Sequence, residues 1–251
     1  MNVMKLKDGL GNQLFQYAAS KMLEKHGPIA YDISFYDSDY NTQGQEFNTR
    51  EYLLPLFVDD VPIEPIGNRP CVPEWEYDPK KDYNEVYFYG DWQKTHYFKD
   101  LNLNIRLKEE YITLNMKLLA EFMHSCNSVS VHVRRTDYAV KKWFLSQSYY
   151  VRAEDYIRRV VEDPVYFIFA DDIDWAKTNP PVSGKKHFIH NDTIADFWLM
   201  SQCKHQIIAN STYSYWAAYL NENTKKIVVY PANWIIGLRP LDWVANNWKG
   251  V

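Results

Sequence analysis

The chain has 251 residues, 46% hydrophobic and 24% charged, enough to bury one large core or two modest ones. A net charge of −4 argues against wholesale nucleic-acid binding, which needs many cationic contacts to phosphates, so any anionic ligand has to be held locally. Three distant cysteines without a Cys-x-x-Cys spacing suggest neither a disulfide framework nor a structural zinc site. With no apolar run of about 18 residues and no signal-peptide core, the expectation is a cytoplasmic chain, neither anchored nor secreted.

A short strand, Val3 to Leu6, leads through Gly9-Leu-Gly-Asn-Gln13 into an apolar-periodic helix from about Asn12 to Glu24. Strand, glycine turn and helix suit a nucleotide. The spacing is neither Gly-x-Gly-x-x-Gly nor a P-loop, however, so dinucleotide oxidoreductases and ATPases fall away, and a tight turn explains the glycines as well as a ligand does. Residues 29 to 105 are irregular, rich in proline, aromatics and turn signals, with one strand at Val86 to Tyr89. The surplus of 20 Tyr and 9 Trp fits sugar platforms or an aromatic core.

From about residue 110 the pattern turns regular. Helices are predicted at Leu114 to Met123, Tyr149 to Glu162, Thr193 to Gln202 and Tyr213 to Leu220. Between and after them lie strands at Val129 to Arg134, Val165 to Phe169, His187 to Ile189, Gln206 to Ala209 and Lys226 to Tyr230. Short apolar strands spaced by helices call for a mostly parallel sheet covered on both faces, a Rossmann-like half. The domains are placed at 1–115 and 116–251.

The most informative stretch is Val129-Ser-Val-His-Val-Arg-Arg-Thr-Asp-Tyr138. Side chains alternate along a strand, so Val129, Val131 and Val133 pack while Ser130, His132 and Arg134 occupy the working face, with Arg135 reversing at the edge. A guanidinium pair beyond the carboxyl end of a strand can grip a diphosphate, although a surface Arg-Asp network fits the same residues. Asn210, Ser211 and Thr212 stand at a helix start, where they cap the helix or, with its free N–H groups, bind phosphate. Asp196, one turn into its helix, complements the helix dipole or accepts N–H donors from a guanine edge. Asp172-Ile-Asp174 mimics a metal-binding Asp-x-Asp. The arginines and the helix end make a metal redundant, leaving Asp171 and Asp172 to cap the next helix or touch a nucleoside. His187 and His190 lack zinc-site spacing and are read as structural.

Gly9-Leu-Gly-Asn-Gln-Leu-Phe-Gln-Tyr-Ala18, His132-Val-Arg-Arg-Thr-Asp-Tyr138, Asp196-Phe-Trp-Leu-Met-Ser-Gln-Cys-Lys-His205 and Asn210-Ser-Thr-Tyr-Ser-Tyr-Trp-Ala-Ala-Tyr-Leu220, in this order, resemble the GDP-fucose-dependent α-1,2-fucosyltransferases of glycosyltransferase family 11. The resemblance implies an α/β, GT-B-like fold of two Rossmann-like domains with the donor site in the cleft between them. It implies a GDP-fucose-binding C-terminal domain, an acceptor-side N-terminal domain, no metal or other cofactor, and inversion at the fucose anomeric carbon. Carried onto this chain, Arg134 grips the β-phosphate, His132 lies near the guanosine and Asp196 reads guanine. Thr212 and Ser214 contact phosphate or fucose, and Asn12 faces the donor. Asp137 is the candidate general base, with Asp8 and Asp91 behind it, or else the salt-bridge partner of Arg135. The implied partners are GDP-fucose and a glycan acceptor, a terminal galactoside, with peripheral membrane contact if that acceptor is lipid-linked. Thr136 stands where many relatives have glycine. The rival readings are a fucosyltransferase of another linkage, α-1,6 or O-linked, non-catalytic sugar binding, and a metal-dependent transferase.

Overall fold

Short apolar runs separated by helices fold into two parallel sheets in a computed structural model, which describes residues 1–38, 41, 49–234 and 247–251. The chain divides into two units, Met1–Lys108 and Glu109–Val251.

In the first unit, β1 (Asn2–Lys5), β2 (Ile29–Asp32), β3 (Cys71–Pro73) and β4 (Tyr87–Tyr89) form a sheet of order β2-β1-β4-β3, every neighbouring pair parallel. Two of these strands, β2 and β3, lie in the stretch that reads as irregular. They are only four and three residues long, and β3 ends on Pro73, which an edge strand tolerates. Helix α1 (Leu10–Leu23) is buried on nearly every side, taking Gln13 and Gln16 inside with its apolar residues. A 3₁₀ turn, Glu24–His26, follows it, and Gly27 at φ 114° leaves that turn in a conformation few other residues adopt. The aromatic surplus is core: Trp92, Phe88 and Trp216 are fully buried.

The second unit runs α2 (Leu114–His124), β5 (Asn127–Val133), α3 (Thr136–Lys141), α4 (Gln147–Val160), β6 (Pro164–Ala170), α5 (Ile173–Thr178), β7 (Lys186–Ile189), α6 (Thr193–Gln202), β8 (His205–Ile207), α7 (Thr212–Tyr219), β9 (Val228–Tyr230) and β10 (Lys249–Gly250). Its six strands lie in the order β10-β9-β8-β5-β6-β7, all parallel. The helices start where hydroxyls and carboxylates meet their first amides. Thr113 Oγ1 accepts from Met116 N, Asp172 Oδ1 from Trp175 N, and Asp192 Oδ1 from Ile194 N and Ala195 N. Val129, Val131 and Val133 join Tyr149, Ala153 and Ile157 in one buried cluster. The other face of β5 is covered too: Ser128, Ser130 and His132 are at most 5% exposed, as a two-sided parallel sheet requires. The expected working face is therefore interior, and the chain reaches the surface only from Arg134 onward.

Candidate functional site

From β5 the chain steps to β6 and then β7 on one side, while β8, β9 and β10 lie on the other. The order reverses between β5 and β8, and an open parallel sheet binds its ligands at that switch point, beyond the carboxyl ends of the strands. His132 and Arg134 stand at the end of β5, and Asn210 to Ser214 follow β8.

Arg134 is held from two sides. Its Nη2 lies 2.6 Å from Asp137 Oδ1 and its Nη1 3.2 Å from Asp171 Oδ2, with the Tyr138 ring centroid 5.4 Å from the guanidinium carbon. Asp171 also accepts Arg135 N at 2.8 Å, Thr136 N at 3.2 Å and Thr136 Oγ1 at 2.7 Å. Thr136 thus supplies a side-chain donor that a glycine at this position would lack. Asp137 pairs with Arg134 rather than with Arg135. The two arginines take different partners, since the Arg135 guanidinium stacks 4.1 Å over the Trp175 ring and 5.6 Å from that of Phe144. Both arginines line a shallow recess with Phe144, Gln147, Tyr150 and Trp175.

Segment 136–143 is tied across the switch point. Tyr138 Oη donates to the Asn210 carbonyl at 3.1 Å, and Asn210 Nδ2 donates to the Trp143 carbonyl at 2.8 Å. Two residues not singled out from the sequence fix the strand ends beneath it: Tyr150 Oη donates to the His132 carbonyl at 3.1 Å and Tyr149 Oη to the Ile208 carbonyl at 2.6 Å. Both are buried. The one signal they carry is that a buried tyrosine hydroxyl needs a partner.

His132 is 5% exposed, and its Nδ1 has no hydrogen-bond partner among the described residues. Burial, helped by the charge of Arg134, lowers its pKa to about 3, so the imidazole is neutral at physiological pH. Tyr213 packs beside this ring. Its ring centroid is 5.6 Å from His132 and 5.2 Å from Phe197, and its hydroxyl donates to the Thr193 carbonyl. Asp196 Oδ1 accepts Asn191 N at 3.1 Å and Asn191 Nδ2 at 2.9 Å, and burial pushes its pKa up against those two donors. Ser211 starts α7 without a side-chain cap, Thr212 is half-buried, and the Ser214 hydroxyl donates to the Ala209 and Ser211 carbonyls at 3.4 and 3.3 Å. The first-turn N–H groups of α7 lie beyond the intrahelical ladder.

An unfolded imidazole takes up a proton near pH 6.5, the buried one only near 3. Between those values the unfolded chain binds the extra proton, so stability falls as pH drops, by about 1.4 kcal/mol per pH unit from this residue. Urea unfolding at neutral and mildly acid pH checks this: His132→Asn shows a shallower acid loss than wild type. Identical slopes would mean that His132 is not buried neutral.

Asp172 caps α5, while Asp174 is 89% exposed on its side chain and pairs with Lys177 at 3.2 Å. His187 stacks on Phe167 with ring centroids 5.3 Å apart, and His190 is exposed. Among the described residues no group of three His, Cys, Asp or Glu is placed to hold a metal ion. The three cysteines are free thiols, and no described helix is long and apolar enough to cross a membrane.

In the first unit the left-handed residue of the β1–α1 turn is Asp8, at φ 64°, whereas Gly9 is extended. Asn12 donates from Nδ2 to Asp8 Oδ2 at 3.3 Å and accepts Gln93 Nε2 at 3.1 Å. Lys7 Nζ bridges Asp91 at 2.7 Å and Asp8 at 3.4 Å. Gly90 delivers Asp91, and a Cβ there would meet Glu74 Cβ at 2.6 Å. Gln13 is fully buried with its amide saturated: Nε2 donates to the Asp8 and Glu51 carbonyls at 3.1 and 2.7 Å, and Oε1 accepts Leu53 N and Leu54 N at 2.9 and 3.0 Å.

The sequence profile of glycosyl transferase family 11 matches residues 76–249. The chain belongs to glycosyl transferase family 11. Its relatives include an Escherichia coli α-1,2-colitosyltransferase, 31% identical over 92% of this chain and 91% of the relative. The E. coli O-antigen biosynthesis glycosyltransferase WbnK is 28% identical over 97% and 98%, and a Mus musculus galactoside 2-α-L-fucosyltransferase is 27% identical over 93% and 67%. Among solved structures, fucosyltransferase NodZ from Bradyrhizobium superposes with a TM-score of 0.56 at 16% identity, covering 87% of this chain and 92% of NodZ. The family-11 chain thus has the expected α/β, GT-B-like fold.

Proposed function

We propose that the protein is an inverting glycosyltransferase that moves L-fucose from GDP-fucose to the 2-hydroxyl of a terminal galactoside, acting in the cytoplasm without a metal. The observation that carries this is Arg134 at the β5–β8 switch point, oriented by Asp137 and Asp171, in a family-11 chain. A galactoside 2-α-L-fucosyltransferase and an α-1,2-colitosyltransferase among its relatives support the linkage.

The acceptor oxygen bonds to fucose C1 as the bond from C1 to the β-phosphate oxygen breaks, and the hydroxyl proton passes to a base. Negative charge grows on the departing phosphate, where Arg134 and the first-turn amides of α7 neutralise it. Asp196, its carboxylate oriented by Asn191, reads the guanine edge, and the buried, neutral His132 backs the guanosine site through the Tyr213 ring. Ser211 and Thr212 line the phosphate and fucose end, while Ser214, buried and donating to the Ala209 and Ser211 carbonyls, holds that turn in place. Arg135 is a positioning residue, bracing the turn against Trp175. The unit Glu109–Val251 carries the donor, and Met1–Lys108 serves the acceptor side.

Asp137 fits two roles, base and anchor of Arg134. Asp137→Asn keeps the shape and removes the charge. As base alone, Asp137 contributes about 10²–10⁴ to kcat and the variant leaves the donor KM unchanged; as anchor, its loss also raises that KM. Steady-state kinetics in both substrates separate the two, and an unchanged kcat excludes the base.

One observation favours a second donor: the α-1,2-colitosyltransferase is 31% identical to this chain. Colitose lacks the 3-hydroxyl of fucose. Incubation with GDP-fucose, GDP-colitose and a UDP-sugar, each with a galactoside acceptor, is read by product mass and by NMR linkage. GDP-fucose gives a deoxyhexose on O2. Transfer from GDP-colitose alone moves the assignment to that sugar, and transfer from the UDP-sugar alone overturns it.

A further inference from the structure

Helix α2 is apolar on two faces. Met116, Ala120 and Met123 are buried. At about 100° per residue, Leu114, Leu118 and Phe122 fall on the opposite side, where they are 71%, 54% and 42% exposed, and Tyr111 just before the helix is 41% exposed. Exposed apolar residues scattered singly need no explanation, but a stripe running the length of a helix does. Unpaired cations bracket one end of it. The Phe122 ring lies 5.1 Å from the His187 ring, and His187 directly follows Lys185 and Lys186. Cys126, whose Sγ is 3.7 Å from the Phe122 carbonyl, senses the charges of Lys204 and Lys185. Neither of those lysines forms an ion pair among the described residues, although the whole chain has a net charge of −4. The acids along this stretch of chain are Glu109, Glu110 and Glu121, and Glu109 is paired with Lys117.

We infer that this face rests on an anionic lipid bilayer, with the α2 stripe in the headgroup region and Lys185 and Lys204 against acidic lipid. Charge complementarity points to that occupant. Size points the same way: four partly exposed side chains offer on the order of half the roughly 800 Å² that each partner gives to a stable protein interface. Shallow insertion beside cations needs only a few apolar side chains. The inference concerns where the enzyme works and does not depend on which sugar it transfers.

Co-sedimentation of the full chain with vesicles tests it. Wild type binds phosphatidylcholine mixed with phosphatidylglycerol, releases at high salt and ignores pure phosphatidylcholine. The double variant Lys185→Ser, Lys204→Ser binds roughly 30-fold more weakly. Leu114→Ser with Leu118→Ser loses at least tenfold. Both keep their thermal melts and their turnover of a soluble acceptor, because the changed residues are at the surface. No binding to the mixed vesicles, or undiminished binding by the leucine variant, would overturn the inference. So would a dimer, seen by analytical ultracentrifugation, that the leucine changes dissolve, since the stripe would then belong to a second copy.

Discussion

Arg134→Ala lowers kcat by about 10²–10³, the usual loss when one preorganised donor to a developing charge is removed, and leaves the fold in place. The guanidinium is only 16% exposed on its side chain and is clamped between Asp137 and Asp171, so its position is set before substrate arrives and no reorganisation is needed as charge develops. Asp171 keeps three donors in the variant, Arg135 N, Thr136 N and Thr136 Oγ1, so no unpaired buried carboxylate is created there. Arg134→Lys retains the charge but lacks the fork that meets two carboxylates and a phosphate together, and its kcat falls between the two. Steady-state turnover, with melting curves to verify folding, checks both. Near-wild-type turnover by Arg134→Ala would remove Arg134 from the chemistry.

Gln13→Leu destabilises the first unit by about 3 kcal/mol or more. The change strands the Glu51 carbonyl and two amides, of Leu53 and Leu54, each costing about 1–3 kcal/mol when buried without a partner, while the Asp8 carbonyl keeps the Tyr36 hydroxyl. That is a large share of the 5–15 kcal/mol of a typical domain. Leucine is close in size, so loss of packing is not the cause. Urea unfolding followed by hydrogen exchange reads it out, with protection falling first in α1 and β1. A change below about 1 kcal/mol would mean that the three groups find other partners.

The two units differ in how far they can be read from sequence. In the second, continuous apolar strands alternate with periodic helices, so Thr193–Gln202 falls where the pattern puts it and β5 and β6 within a few residues. In the first, β2 and β3 are too short to show a period, and Pro73 argues locally against a strand that only its edge position permits. That charged groups gather at the switch point is legible in the sequence, because His-x-Arg-Arg-x-Asp directly follows an apolar strand. Their pairing was not: whether Asp137 meets Arg134 or Arg135 depends on the turn Thr136–Lys141, which Asp171 builds from another strand. Gly9-Leu-Gly-Asn-Gln13 misdirects attention for a similar reason. Its glycines look like the feature that matters, yet the strained position is Asp8 and the buried anchor is Gln13. A saturated amide depends on partners about forty residues away, which local pattern does not register.

The most direct measurement is the rate of GDP release from GDP-fucose, coupled to transfer onto a galactoside, by protein dialysed against EDTA. Stabilisation of the departing nucleotide by Arg134 and the α7 amides predicts an undiminished rate. A rate abolished by EDTA and restored by manganese would contradict it and return Asp172 and Asp174 to the centre of the mechanism.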